Sequence, residues 1–562
     1  MGRKIVSLTG KVWNIRSENT GGDIVRILAE NRGISDLDGF INCSLKNSMP
    51  DPYVFTDMEK AVRRIVDAIK SGQRIAILGD YDVDGVSSIA LFIGFLERVG
   101  AEYTYAVPNR MDEGYGLSVS NIEKHKECLI IAVDCGSNSF KELKYAKKQN
   151  IDVIVLDHHQ MHSVCEDALI VNPHRPDEKG DYKYLCSGGL SFMCIAGVNR
   201  LLRETGFYEN RPEPDLKNYL DLAALATVCD VVDLKGLNRA LVAAGLKIIR
   251  QRKNPGLDAL LSLYKGAVID SDTISFFLGP RLNAAGRMAS ADLSVQLLIE
   301  KDPAAAKKKA VRLDEINRER QLLEAKMLEE ALSSVNENRN FICSFKADWH
   351  PGVIGILASR LREKYNRPAI VIARDSDGLG KASCRSCEGV DISAVIKKGT
   401  ECGVIISGGG HFMAGGFSAD LSKISELEEF LDSEIQRKPE PPELYADCVT
   451  PPGEISLEFV KSMSVLEPFG KGNRHPKFVI PNIKIISARI VGENHIAFSV
   501  IDERGNIMRA ISFRSSDTPL GDILLKKTAD SVSLLGSLSI SACNGRPYVG
   551  FQAEDASSCL FN

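Results

Sequence analysis

Three carboxylates fall within five residues at Asp80, Asp82 and Asp84, directly after an apolar run at residues 75–78 and a break at Gly79. Carboxylates are strongly hydrated, so a cluster beside a core strand needs counter-charge. A divalent metal ion is the usual source, and an acidic surface turn is the plain alternative. The theme returns downstream: LIIAV, residues 129–133, leads into Asp134-Cys135-Gly136, and IDVIVL, residues 151–156, leads into Asp157-His158-His159. The apolar segment YLDLAALATVCDVVDL carries Asp230 and Asp233. Strands side by side lie about 4.8 Å apart, so in one sheet these acids and imidazoles would converge on one edge. A lone buried histidine is usually a satisfied core residue, whereas two in series among carboxylates favour ligation. A mixed oxygen and imidazole set suits manganese or magnesium better than zinc, which favours thiolates or several histidines.

The elements that must position these groups alternate along the chain. From about residue 58 to 250, helical patterns separate short apolar strands predicted at 74–78, 129–133, 151–156 and 168–171. Gly85 opens a helical segment, SSIALFIGFLERVG. Such alternation predicts a parallel sheet with covering helices, and open α/β sheets place their sites at the carboxyl edge. Residues 1–57 hold one helical pattern, IVRILAENRGI, and Trp13, and are expected as a lead-in packing on the catalytic domain of residues 58–299.

Residues 300–336 have high helix propensity and read as a long, charged connecting helix whose basic face is solvated. A smaller α/β unit is expected over 337–437, with FICSF and AIVIA as strands flanking the helical pattern GVIGILASRLREKY. A predicted strand, GVIIS, then runs into Ser407-Gly408-Gly409-Gly410-His411. Glycines let backbone N–H groups approach an anion and a histidine adds a donor, although a tight turn has the same composition. The proline-rich, acidic stretch 438–453 predicts a linker. Residues 445–562 hold about five short alternating runs, the pattern of a small all-β barrel of the oligonucleotide-binding (OB) type or of another small β domain.

At 562 residues the chain calls for three or more domains. Its 44% hydrophobic and 26% charged residues are ordinary for a soluble globular protein. No apolar run approaches the length of a membrane span, and the N-terminal residues lack the apolar core of a signal peptide. The fourteen cysteines are scattered, mostly in apolar contexts, which fits a reducing cytoplasm better than a disulfide framework. Cys384 and Cys387 form a single CxxC, an incomplete ligand set for zinc. A net charge of −4 neither announces nucleic acid nor excludes it, since a local basic groove is enough to hold phosphates.

GDYDVDG, DCG and DHH at these separations resemble the DHH phosphoesterase superfamily. FFLGPRLNAAGRM (276–288), WHPGVIGILASRL (349–361), SGGGHFMAGGFS (407–418) and LEPFGKGNRHPKF (466–478) are similar to blocks of its RecJ exonuclease branch. The resemblance runs from about residue 25 to the C-terminus. It implies a mixed α/β architecture: a parallel-sheet DHH catalytic domain, a long connecting helix, a smaller α/β DHH-associated (DHHA1-like) domain and a C-terminal OB-like barrel. It also implies a monomeric 5′-to-3′ exonuclease that releases mononucleotides from single-stranded DNA in recombination and repair. Two manganese or magnesium ions would serve each site, with a helicase and a single-strand-binding protein as partners and no membrane.

By position, the resemblance makes Asp82, Asp84, Asp134, His158 and Asp230 metal ligands, with Asp134 bridging two ions. Asp80 stands either as a further ligand or as a support behind them, and His159 is placed beside them for metal or phosphate. Arg281, Asn283 and Arg287 match a phosphate-facing block, as do Arg385, Gly408, Gly409, Gly410 and His411 of the associated domain. Two rivals share the fold. A phosphodiesterase for nano-RNA or dinucleotides would need no barrel, and a non-catalytic DNA-binding scaffold would have lost acids that are all present here.

Overall fold

The computed structural model describes residues 3–18, 23–108, 116–266, 268–437, 440–526, 531–543 and 546–558. They form two compact units, one of residues 1–313 with 443–562 and one of residues 314–442. The first unit begins with two strands, β1 (Arg3–Val6) and β2 (Val12–Ser17), and a helix, Ile24–Asn31. Five strands then make an all-parallel sheet: β3 (Ile75–Gly79), β4 (Tyr103–Ala106), β5 (Leu129–Val133), β6 (Val153–Leu156) and β7 (Leu169–Val171).

β3, β5 and β6 are buried on both faces, which is why they read as unbroken apolar runs rather than as an alternation. Ile75, Ile77, Leu129, Ile131 and Val133 enter the core beneath the helix Val83–Val99. Their neighbours Ala76, Leu78, Ile130 and Ala132 face the opposite core, built with Leu143 and Ala146. β4, at one edge and half exposed, offers no apolar run and escapes sequence reading.

The strand order is β4-β3-β5-β6-β7. From β3 the chain moves out to β4, then crosses back to place β5 on the other side of β3. The direction of winding therefore reverses between β3 and β5, the place where such sheets open a crevice. The register pairs Gly79 with Val133 and Val133 with Leu156. Asp80, Asp134 and Asp157 follow those three residues directly, and so emerge together at the carboxyl edge. The segment that carries Asp230 is not a strand but a wholly buried apolar helix, Leu220–Cys229, with Asp230 at its C-terminal end.

The second unit holds most of the connecting helix Pro303–Leu332, which starts before the unit boundary. Its five-stranded sheet is built from β8 (Ile342–Phe345), β9 (Ala369–Arg374), β10 (Gly380–Arg385), β11 (Ser407–His411) and β12 (Ala414–Ala419), with the helix Ile354–Tyr365 between β8 and β9. Here one expectation is corrected. The predicted strand GVIIS is irregular at residues 404–406, and the glycines themselves form the edge strand β11, paired with β12. Packing explains this: a Cβ at Gly408 would lie 2.6 Å from that of Phe417, so glycine allows the two strands to close on each other.

In the C-terminal part of the first unit, β13 (Glu443–Val449) precedes β14 (Lys477–Val491), β15 (His495–Ile501), β16 (Ile507–Ser512), β17 (Val532–Cys543) and β18 (Arg546–Ser558). β14 pairs with both β15 and β17, which closes these last five strands into a barrel. The predicted linker is thus only in part a linker, since β13 occupies its middle; residues 438 and 439 lie outside the described residues. The N-terminal lead-in is also corrected. β2 pairs in parallel with β13, Trp13 donates to Asp555 Oδ2 at 2.7 Å, and Ile24 and Leu28 sit in the core of the barrel. Only the later part, through Leu45, Met49 and Phe55, packs on the catalytic core. A lone strand satisfies its backbone through a partner distant in sequence, so local pattern could not assign it.

Candidate metal centre

The first acidic turn is built by the start of the helix Val83–Val99. Asp82 caps it, its carboxylate accepting from the N–H groups of Asp84 at 2.9 Å and Gly85 at 3.2 Å, donors that the helix leaves unmatched. The helix starts tight against β3, for a Cβ on Gly85 would lie 2.5 Å from the Asp80 carbonyl oxygen. Asp84, one residue before, is buried. Its two oxygens accept from the N–H groups of Ser187 at 2.8 Å and Gly188 at 2.7 Å, in the first turn of the helix Ser187–Glu204. Gly188 is needed for that approach, since a Cβ there would meet the Ala226 Cβ at 2.3 Å.

Asp134 takes a left-handed conformation, φ +61°. For a residue with a side chain this costs about 1–2 kcal/mol, a strain typical of sites where geometry matters more than stability. It turns the carboxylate toward the helix Ser187–Glu204, where Ser187 Oγ donates to it at 3.2 Å. His158 Nε2 stands at the centre, 3.3 Å from Asp134 Oδ1, 3.6 Å from Asp230 Oδ2 and 3.7 Å from Asp84 Oδ2.

Asp157 does different work. Its Oδ1 accepts from the backbone N–H groups of His158 at 2.7 Å and His159 at 3.1 Å, and lies 2.7 Å from His159 Nδ1. Its Oδ2 accepts from the Ser137 N–H at 3.0 Å. Burial alone would raise its pKa, but the His159 bond, both imidazoles and these N–H groups hold the carboxyl well below the usual range. Conversely, burial would lower His159, but Asp157 overrides it and pushes the imidazole up to about 9. Asp157, which holds Nδ1, thus favours the imidazolium form of His159.

The remaining acids are under opposite stress. Burial lifts Asp134 well above the carboxylate range, and Asp84, Asp82, Asp80 and Asp230 add to the rise. Burial also raises Asp84, with His158 opposing. Asp230 is pushed up to about 9, first by burial and then by Asp84 and Asp82, while His159 and Lys471 oppose. Its Oδ2 is buried and accepts no hydrogen bond among the described residues.

Ligand atoms of Asp80, Asp82 and Asp134 lie within 4.8 Å of one another, as do those of Asp84, His158 and Asp230, and those of Asp134, His158 and His159. Such crowding needs a counter-cation. Three thiols flank the cluster, but burial, reinforced by the carboxylates, pushes Cys135, Cys186 and Cys229 upward, so they stay neutral and ligate poorly. What is left is oxygen and imidazole, a donor set that fits manganese or magnesium.

The predicted basic block lies beside the first acidic turn. Asn283 Oδ1 accepts from the Val83 N–H at 3.2 Å, so its carbonyl braces the turn. Arg281 lies 3.6 Å from the centre of the Phe277 ring and donates to the Phe277 carbonyl at 2.9 Å. Arg287 shares the helix Gly279–Met288 with both. Arg385, Gly408, Gly409, Gly410 and His411 belong to the second unit, where Arg385 donates to the Cys384 carbonyl at 2.8 Å and β11 is exposed along its whole length.

Sequence reading missed three contributors: the Ser187–Gly188 cradle, Asp157 as the partner of His159, and Lys471. The SGGLS at residues 187–191 and the Asp before the histidine pair were the signals for the first two.

Residues 74–227 match the DHH family, N-terminal domain, residues 338–437 the DHHA1 domain and residues 446–555 the RecJ OB domain. The chain is 33% identical over 509 residues to the single-stranded-DNA-specific exonuclease RecJ of Haemophilus influenzae, covering 85% of this chain and 88% of that one. To RecJ of Bacillus subtilis it is 32% identical over 523 residues, 90% of this chain but 64% of the longer relative. Among solved structures, RecJ of Thermus thermophilus in complex with Mn2+ superposes with a TM-score of 0.80 at 28% identity, covering 97% of this chain and 79% of that one. Its Mg2+ complex gives 0.75 at 26% identity, with 98% and 79% covered.

Proposed function

The chain belongs to the RecJ family of single-stranded-DNA-specific exonucleases, and from that premise we propose that it removes mononucleotides from the 5′ end of single-stranded DNA in recombination and repair. The observation that carries this reading is the sheet edge where Asp84, Asp134 and Asp230 surround His158 and Asp80 and Asp82 crowd against Asp134, with Asp230 Oδ2 buried and without a donor among the described residues. Asp80, Asp82 and Asp134 would hold one divalent ion and Asp84, His158 and Asp230 a second, with Asp134 between them. Manganese or magnesium ions there would clamp the attacking and leaving oxygens of an in-line displacement.

The chain's own residues do the rest. The N–H groups of Ser187 and Gly188 fix both oxygens of Asp84, and Ser187 Oγ fixes Asp134, so the acids meet the ions without rearranging. Asp157 holds His159 through Nδ1 and favours its imidazolium form, so His159 would donate from Nε2 to a phosphoryl oxygen. Arg281 and Arg287 would offset charge on the same phosphate, and Arg385, Gly408, Gly409, Gly410 and His411 would contact the strand in the associated domain. The barrel would track the single strand by stacking and charge.

All proposed ligands come from one chain, so a monomer suffices. A helicase and a single-strand-binding protein are the partners such an activity needs, because the strand must be opened and kept open. No described helix is long and apolar enough to cross a membrane. Buried free thiols such as Cys194 and Cys384 suit the cytoplasm, where we place the enzyme.

The test is product analysis of the full chain with manganese on a 5′-phosphorylated, 3′-labelled single strand beside the matching blunt duplex. Mononucleotides from the single strand alone are the expected result. Dinucleotide cleavage alone would favour the nano-RNA branch, and binding without cleavage the scaffold. His159→Gln is expected to lower kcat about a hundredfold at saturating manganese. A shift in the manganese midpoint with kcat restored at saturation would instead make His159 a ligand.

A further inference from the structure

The block at residues 466–473, LEPFGKGN, holds no ligand of the proposed ions, yet the structure anchors it through many hydrogen bonds. Asn473 folds the turn, donating from Nδ2 to the carbonyls of Leu466 at 2.7 Å and Pro468 at 2.9 Å, while Gly470 and Asn473 pair. Three stretches of the catalytic domain then grip it. Ser271 Oγ donates to the Phe469 carbonyl at 2.6 Å, and Asp272 Oδ2 lies 3.0 Å from His475 Nε2. Arg239, buried in the helix Gly236–Arg250, donates to the carbonyls of Leu466 at 3.1 Å and Glu467 at 2.6 Å. Its guanidinium also donates to the Phe40 carbonyl at 3.0 Å and lies 3.6 Å from the centre of that ring. No carboxylate pairs with Arg239 among the described residues. Keeping a full charge buried on carbonyl dipoles is costly, and a joint that served packing alone would not need it.

The third grip sets the apex. The Leu234 N–H donates to the Lys471 carbonyl at 2.8 Å, four residues beyond Asp230. The next residue, Gly472, has a positive φ of +77° and packs against Asp233. Lys471 is thereby held beside the segment that presents Asp230 to the metal centre. Its side chain is exposed.

We propose that Lys471 binds a backbone phosphate of the substrate strand at the Asp230 rim of the metal centre, and that Arg239 is the positioning residue that holds the Lys471 turn in place. The inference rests on the single-stranded-DNA reading. A lysine is a compact point charge on a flexible stem, suited to a phosphate that must pass rather than lock. The turn links the barrel to the acidic edge, so a phosphate held there would register the strand between the two.

Equilibrium binding separates this inference from the activity itself. A 5′-phosphorylated single strand is titrated with the full-length chain, without divalent ions, over a range of salt concentrations. Lys471→Gln is expected to weaken binding about tenfold at low salt and to reduce the slope of log Kd against log salt by about 0.7, the value for one phosphate contact on a single strand. Lys471→Arg is expected to keep the slope. Arg239→Met is expected to lower the slope as Lys471→Gln does, with its melting transition intact; should that variant not fold, the Lys471 pair still decides. An unchanged slope in Lys471→Gln would overturn the proposal. If instead the unmodified chain binds the strand but releases nothing with manganese, the exonuclease reading fails while the slope still judges Lys471.

Discussion

Asp134→Asn is expected to abolish nucleotide release while leaving strand binding largely intact. The amide keeps the size of the carboxylate and the Ser187 contact, but removes the charge that both proposed ion sites share. Losing divalent ions from a displacement of this kind forfeits several kcal/mol of transition-state stabilisation, which at 1.36 kcal/mol per decade is about a thousandfold or more in kcat. Binding is spared because the cations proposed to meet phosphate, such as Arg281, Arg287 and Lys471, lie elsewhere in the chain. The same variant should make the metal-free protein more stable at pH 8, since one of several mutually repelling buried acids becomes neutral. Full activity of Asp134→Asn at saturating manganese would sink the two-ion assignment, and an unchanged melting temperature would show that Asp134 is not strained by its neighbours.

The second large effect is on stability. Asp84, Asp134 and Asp230 all have pKa values raised by burial and by one another, Asp230 to about 9. The folded protein therefore holds protons that the unfolded chain has released above its ordinary carboxyl pKa of about 3.9. Stability from these acids is present below that value and falls as pH rises, for Asp230 through about 9. His159 works in the same direction: its raised pKa contributes stability that is full below about 6.5, the unperturbed imidazole value, and is lost as pH passes through about 9. Asp157, with its lowered pKa, adds stability that is lost only in acid and does not offset the trend above pH 5.

The metal-free protein should accordingly melt lower at pH 8 than at pH 6. Manganese supplies the counter-charge that protons supply at lower pH, so it should raise the melting temperature more at pH 8. At a hundred times its Kd the stabilisation is about 2.7 kcal/mol, enough to shift the transition by a few degrees. Equal shifts at both pH values, or an undiminished shift in Asp134→Asn, would contradict the cluster as the binding site.

How much of this was legible in the sequence differs by element. The strands predicted at 74–78, 129–133, 151–156 and 168–171 coincide closely with β3, β5, β6 and β7, because strands buried on both faces leave unbroken apolar runs between polar punctuation. The five C-terminal runs became the five strands of the barrel. β4 was missed because an edge strand with half-exposed tyrosines carries no such signature. β2, and with it β1, was missed because the partner of β2, β13, lies over four hundred residues away and sat inside a stretch that read as linker. The glycines at 408–410 read as an anion-contacting loop or a tight turn, since glycine alone does not reveal that close packing on Phe417 makes them a strand.

Within the site, residue type and spacing, with the family resemblance, were enough to nominate the acids and the histidine pair as candidate ligands, and the fold brings them to one edge. Chemistry of that kind is local: an aspartate that follows a core strand emerges at the strand's carboxyl end in any parallel sheet. The division of labour was not local. Asp157 and His159 form a charged pair while His158 turns to three carboxylates, and only backbone geometry after β6 separates them. Asp230 arrives from a buried helix, Asp84 is clasped by two N–H groups a hundred residues away, and Lys471 is delivered by a turn anchored on Arg239. Sequence alone therefore determined which elements form and that acids stand at their ends, because those properties follow from periodicity along the chain. Tertiary structure alone decided which acids meet, how far their charges are stressed and which cation reaches them, because register, winding order and close approach are set by contacts between residues far apart in sequence.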